Sequence, residues 1–226
     1  MFVRDKMVTE LVVVSPQDTI LGTRRLMIEK QIRHMPVVED GRLVGIVTDR
    51  DIRDAMPSLL FEEGVEPEVC KEIAEHIISD IMTPDPITIS VVHTLQDALL
   101  IMYHKKVGAF PVVDEEGHLL GIIAIRDILK AFINLLNIEE PGTLLCVVVE
   151  EKPGQMKKVV DVITEENISL GSVLVARYWD EDHRALFPYL LTCNVATVKR
   201  KLMDLGFELI EPMDMLLDQV PVNEKE

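Results

Sequence analysis

Gly45-Ile46-Val47-Thr48-Asp49-Arg50-Asp51 and Gly121-Ile122-Ile123-Ala124-Ile125-Arg126-Asp127 are one pattern written twice, 76 positions apart. The glycine and the branched apolar run read as a strand. The carboxylates that follow suit the positive end of a helix dipole. Upstream, Met35-Pro36-Val37-Val38 recurs as Phe110-Pro111-Val112-Val113, and Asp5-Lys6-Met7 as Asp80-Ile81-Met82, both at an offset of 75. A one-residue insertion at Glu115-Glu116 accounts for the difference. An internal repeat decides the architecture before any local assignment does.

Each copy reads as β-α-β-β-α. In the first, Leu11 to Val14 is a short branched run that predicts a strand, and Ser15-Pro16-Gln17-Asp18 is a helix start leading to a stripe of Ile20, Leu26, Met27 and Ile32. Residues 36–39 and 43–47 flank Asp40-Gly41, a hairpin signal. Three strands and two helices bury too little apolar surface alone, so the two copies are expected to pack as a pair. The predicted boundaries are 1–57 for copy one, an acidic, helix-prone linker over 58–75, and 76–138 for copy two.

Glu139-Glu140-Pro141-Gly142 breaks the helix predicted over 128–136 and opens a different pattern. Residues 144–149 read as a strand, Pro153-Gly154 as a turn, 155–166 as a helix, 168–178 and 186–193 as strands, 195–205 as a helix, and 207–210 as a last strand. The order βαββαβ is a ferredoxin-like arrangement, assigned to 142–213 with a tail over 214–226. The fold class is α+β.

Composition bounds the function. The chain has 226 residues, 48% hydrophobic and 27% charged, which supports ordered globular structure. A net charge of −16 argues against a nucleic-acid surface, which needs clustered Lys and Arg. Residues 1–57 are the exception, with nine basic residues balancing nine acidic ones. An anion is therefore expected there. Apolar runs such as 144–149 are far shorter than the roughly 20 residues that cross a bilayer, and the N-terminus lacks a secretion signal. Cys70, Cys146 and Cys193 are scattered and suggest neither disulfide nor zinc site. A cytoplasmic location without a membrane partner is expected.

The ordered set Asp-x-Met, x-Pro-Val-Val and Asp-Gly-x-Leu-Val-Gly-Ile-Val-Thr-Asp-Arg-Asp resembles the CBS domain, and the pair over residues 1–138 resembles a Bateman module. The resemblance implies clefts between the copies that hold adenosine compounds, with Asp51 and Asp127 gripping the ribose hydroxyls. A carboxylate suits a diol because it accepts two hydrogen bonds. On residue chemistry alone, the same aspartates also read as helix N-cap groups, and one carboxylate can do both jobs. Thr48 matches a family hydroxyl near ribose or phosphate, and Ala124 lacks it. Arg33, His34, Arg50 and Arg126 are the candidate phosphate partners. Because the family often meets phosphates with the opposite copy, the Asp127 site is expected to receive Arg33, His34 and Arg50, and the Asp51 site mostly Arg126. Arg33 and Arg50 also read as plain solvated surface charges.

The strand, Lys152-Pro153-Gly154 and helix after residue 142 resemble the ACT domain, whose turn lies beside sites for small effectors such as amino acids. Gly154 would let backbone approach a ligand. A CBS pair followed by an ACT-like module resembles the acetoin-utilisation, AcuB-like family.

No HExxH, GxSxG, GxxxxGK[ST] or GxGxxG is present, and no nucleophile, base and charge stabiliser stand out together. The sequence predicts a non-catalytic regulatory protein without catalytic cofactor. It would bind AMP, ADP or ATP, form a homodimer, and pass its signal through the ACT-like module or an assembly change to an unknown regulated protein. The alternatives are a structural oligomerisation module and a sensor of S-adenosylmethionine or NAD.

Overall fold

The computed structural model describes residues 1–56, 76–177 and 181–210. The linker expected over 58–75, the tail over 214–226, Cys70 and Trp179 lie outside these residues. The chain divides into two compact units, Met1–Leu129 and Lys130–Glu226.

In the first unit, copy one contributes α1 (Ile20–Lys30), β1 (His34–Glu39), β2 (Arg42–Thr48) and α2 (Asp49–Ala55), and copy two contributes β3 (Thr83–Pro84), β4 (Ile89–Ser90), α3 (Leu95–Lys105), β5 (Ala109–Val113), β6 (Leu119–Ala124) and α4 (Ile125–Leu136). Helix α4 runs past the unit boundary. The repeat extends to fine detail. Both hairpins are antiparallel with a bulge at the same place, Val37/Val38 and Val112/Val113. Both first helices end in a left-handed residue, Gln31 (φ 55°) and Lys106 (φ 55°). Asp40 and Gly41 turn the first hairpin with φ of 48° and 78°, the positive values that tight hairpins require.

Two expectations shift. The strand expected over 11–14 contracts to a single parallel bridge between Val14 and Val37, fixed by Val14 N–H to Pro36 O and Val38 N–H to Val14 O. Its counterpart β4 is a two-residue strand beside β5. Helix α1 begins at Ile20 rather than at Ser15, because Ser15–Asp18 closes its own turn, with Ser15 N–H donating to Asp18 Oδ2 at 2.8 Å. Thr19 then caps the helix by accepting from Gly22 N–H.

The copies exchange their leading segments. Thr83 and Pro84 of copy two form the third strand of copy one's sheet, against Ile46 and Gly45. Reciprocally, Val8 of copy one donates to and accepts from Ile122 on β6. The methionine of each Asp-x-Met therefore sits on the other copy's glycine: Met82 on Gly45, and Met7 on Gly121. Helix α1 buries Ile20, Thr23 and Met27, and α3 buries Leu95, Ala98 and Met102 at the same spacing. A fully buried side chain such as Ile20, with 0% exposure, contributes about 1.5–3 kcal/mol.

The second unit holds β7 (Thr143–Leu144), β8 (Cys146–Glu150), α5 (Gln155–Glu165), β9 (Leu170–Arg177), β10 (His183–Leu190), α6 (Ala196–Asp204) and β11 (Glu208–Ile210). Strand β8 lies between β11 and β10, and β9 pairs with the far side of β10. All pairings are antiparallel. Val147, Val149, Leu186 and Leu190 from the strands pack with Val159, Val162, Ile163, Val198 and Leu202 from the helices. The period of about 3.6 in α5 and the alternation along β8 and β10 direct these residues to one face. Among the described residues, no helix is long and apolar enough to cross a membrane.

Candidate functional site

The strand-to-helix corner of each copy is built by its own sequence. Thr48 closes β2 and caps α2: its N–H and Oγ1 donate to Asp51 Oδ2 at 2.8 and 2.7 Å, and Asp51 N–H donates back to Thr48 Oγ1 at 3.3 Å. This reciprocal box satisfies donors that a helix start leaves open. In copy two, Ala124 N–H donates to Asp127 Oδ2 at 2.8 Å, and the hydroxyl is missing. Both aspartates thus serve their helix with one oxygen. The other oxygen of Asp51 enters no hydrogen bond among the described residues.

A cavity of about 840 Å³ opens on the Asp51 corner. Copy one lines it with Arg33, His34, Thr48, Arg50 and Asp51, and copy two with Asp85 and the segment from Lys106 to Ala109. Ile46, Pro86, Ile87, Val107 and Ile125 supply apolar wall. Its size falls within the range of about 300–1,000 Å³ usual for small-ligand sites.

The grouping differs from the expected one. Arg33, His34 and Arg50 line the cavity with Asp51 and Thr48, whereas Arg126 and Asp127 do not line it. The reason is local: His34 pairs with Thr48 across the β1/β2 ladder, and Asp49 N–H donates to Arg33 O at 3.0 Å. The start of β1 therefore stands beside the end of β2 in the same copy.

Electrostatics divide the charged groups. Asp49 is held by Arg53 at 3.1 Å, while Arg33, Arg50 and Lys106 make no ion pair among the described residues. Burial, and secondly the Arg33 guanidinium, hold His34 below the usual imidazole value, against the opposing pull of Asp51 and Asp49. Neutral His34 can donate or accept. Its ring lies against the other copy, since a side-chain carbon on Gly108 would stand 3.0 Å from His34 Nε2.

The sequence reading missed Lys106, Arg53 and Asp85. The left-handed end of α3 carries Lys106 to the cleft, and that conformation has no local sequence mark stronger than the repeat itself. In the second unit, Gly154 has φ 91° and precedes α5, and a Cβ on it would meet nothing within 4 Å. Pro153 and Gly154 are exposed.

The CBS domain family model matches residues 3–58 and 78–134. The CBS domain-containing protein YhcV of Bacillus subtilis is 30% identical over 143 residues, covering 63% of this chain and 91% of that protein. Inosine-5'-monophosphate dehydrogenase of Korarchaeum cryptofilum is 36% identical over 121 residues, 54% of this chain but 22% of the enzyme. A crystal structure of a Vibrio cholerae protein named for acetoin utilization (AcuB) superposes with a TM-score of 0.51 at 28% identity, covering 62% of this chain and 98% of the other.

Proposed function

We propose, from the premise that the chain belongs to the CBS domain family, that it is a regulatory protein binding an adenine nucleotide in the cavity beside Asp51. The observation that carries this reading is a carboxylate with one uncommitted oxygen in a cavity that also gathers Arg33, Arg50 and Lys106. Asp51 would accept from the ribose hydroxyls, the cations would meet phosphate, and the apolar wall would take the base. Thr48 is committed to Asp51 as a donor and can still accept a hydrogen bond. Asp127 with Arg126 would form the ribose and phosphate elements of a second, poorer site, which lacks the hydroxyl of Thr48. Calorimetry with AMP, ADP and ATP tests the reading: binding at micromolar or better affinity supports it, and no heat with any of them sinks it.

The protein acts by binding and not by catalysis on this reading. The output would run through the second unit or through the assembly of a homodimer to a regulated protein. An ACT-like role for the second unit is supported by its βαββαβ order from β8 to β11, with β8 between β10 and β11, and by the open Pro153-Gly154 turn before α5. A small effector such as an amino acid would bind there. A thermal-shift screen of amino acids tests this part separately.

A further inference from the structure

We infer that the turn joining β5 to β6 binds a divalent transition-metal ion of the zinc type through Asp114, Glu116 and the imidazole of His118. None of the three residues lines the Asp51 cavity, so nucleotide binding is not a premise.

One oxygen of Asp114 builds the turn. Its Oδ1 accepts from His118 N–H at 2.7 Å and from Glu116 N–H at 3.1 Å, while Gly117, with φ 84°, donates its N–H to Asp114 O. The backbone thereby fixes which side chains meet. Asp114 Oδ2 is left facing the His118 ring, with Nδ1 at 3.0 Å, and one ligand atom from each of Asp114, Glu116 and His118 lies within 4.8 Å of the other two. Atoms bound to one ion at about 2.0–2.2 Å stand at most about 4.4 Å apart, so side-chain rotations at this exposed turn suffice to close a three-donor site. A nitrogen donor beside two carboxylates favours zinc-like ions over magnesium or calcium, which prefer oxygen alone.

Copy one shows what this turn lacks. Glu39 and Arg42 are partners across the β1/β2 ladder, and Asp40-Gly41 joins them. In copy two Asp114 and His118 take those two places, the glycine keeps its left-handed backbone, with φ 78° at Gly41 and 84° at Gly117, and the extra residue leaves Glu115-Glu116 where Asp40 stands. Copy one therefore carries a permanent cation at its turn, whereas residues 114–118 hold three carboxylates and no Lys or Arg. The Glu116 carboxylate makes no hydrogen bond or ion pair among the described residues. Carboxylates gathered this closely repel one another, and an ion from solution supplies the charge that Arg42 supplies in copy one.

Calorimetry with Zn²⁺ on the full, reduced chain in metal-free buffer should show an ion bound through the turn. His118→Arg installs the residue that copy one carries, and Glu116→Gln leaves the Asp114–His118 contact in place. Each should lower zinc affinity about tenfold or more, and equimolar Mg²⁺ should not compete. Weakening by both variants supports the site, since a purely structural Asp114–His118 pair gives Glu116 no part in holding an ion. Zinc binding unchanged in either variant, no zinc binding by the unaltered chain, or displacement by equimolar Mg²⁺ would overturn the inference.

Discussion

The thioether of Met82 occupies the space that a side chain on Gly45 would need: a Cβ at Gly45 would stand 2.6 Å from Met82 Sδ and 3.2 Å from Thr83 O. The two residues belong to different copies, so the glycine marks the line along which one copy's leading segment lies on the other's strand.

Gly45→Ala should destabilise the protein by about 1–3 kcal/mol, the usual cost of overfilling a packed site. Adding Met82→Ala should recover part of that loss, because the sulfur is the nearer obstacle. Urea denaturation of the single and double variants checks this. Additive losses would show that the two residues do not share the space.

Asp51→Ala should weaken nucleotide binding by about 1.5–3 kcal/mol through the lost charged acceptor. Asp127→Ala should weaken binding at the Asp51 cavity much less. Asp51 also caps α2 through Thr48, so the melting temperature without ligand must fall as well, consistent with about 0.5–2 kcal/mol for a lost cap. Calorimetry and melting together separate the two roles. Equal binding losses for both aspartates would contradict the placement of the site.

Thr23 is 2% exposed and its Oγ1 has no hydrogen-bond partner, while copy two has Ala98 at the matching place. Thr23→Val keeps the shape and removes the unsatisfied hydroxyl, and should stabilise by about 1 kcal/mol. A higher midpoint in chemical denaturation is expected. A loss of stability would reveal a partner for the hydroxyl in solution.

His34 gives a pH dependence with a definite sign. Its folded value lies below the usual imidazole value of 6.5, so between the two values the unfolded chain binds more protons than the native one, and stability rises with pH through that window. The contribution is complete above 6.5 and declines as pH falls toward the folded value. His34→Gln should flatten the slope in ligand-free protein. Phosphate beside His34 favours the protonated ring, so nucleotide affinity should increase as pH falls through the same range. Melting and binding series across pH 5 to 8 read both. A slope unchanged in the variant would assign the titration elsewhere.

The repeat made most of the first unit legible. Asp51 and Asp127 fell at the start of α2 and α4 because an acidic residue after a branched run is both a strand end and a cap. Helix α1 was placed too early, since Ser15–Asp18 forms a self-contained turn that uses the same polar residues as a helix start. The expected grouping of Arg33 and His34 with the opposite aspartate differs from their place in the lining of the Asp51 cavity for a different reason. Sequence similarity aligns copies with each other, but it carries no information about which strand end stands beside which helix start. That pairing is set by the β1/β2 register, which joins His34 to Thr48. Lys106 escaped notice because only its backbone, shared with Gln31, belongs to the repeat.

The crossing of the leading segments also makes the two copies interdependent. Each copy completes its sheet with residues taken from the other, Thr83 and Pro84 in one direction and Val8 in the reverse. Such an exchange is self-complementary, as in an isologous dimer. A single copy of the repeat would already make a closed object once two such copies met. Joined in one chain, the two copies need not be identical, so that one carries Thr48 and Arg53 where the other carries Ala124 and Leu129, and binding chemistry can be concentrated on a single side.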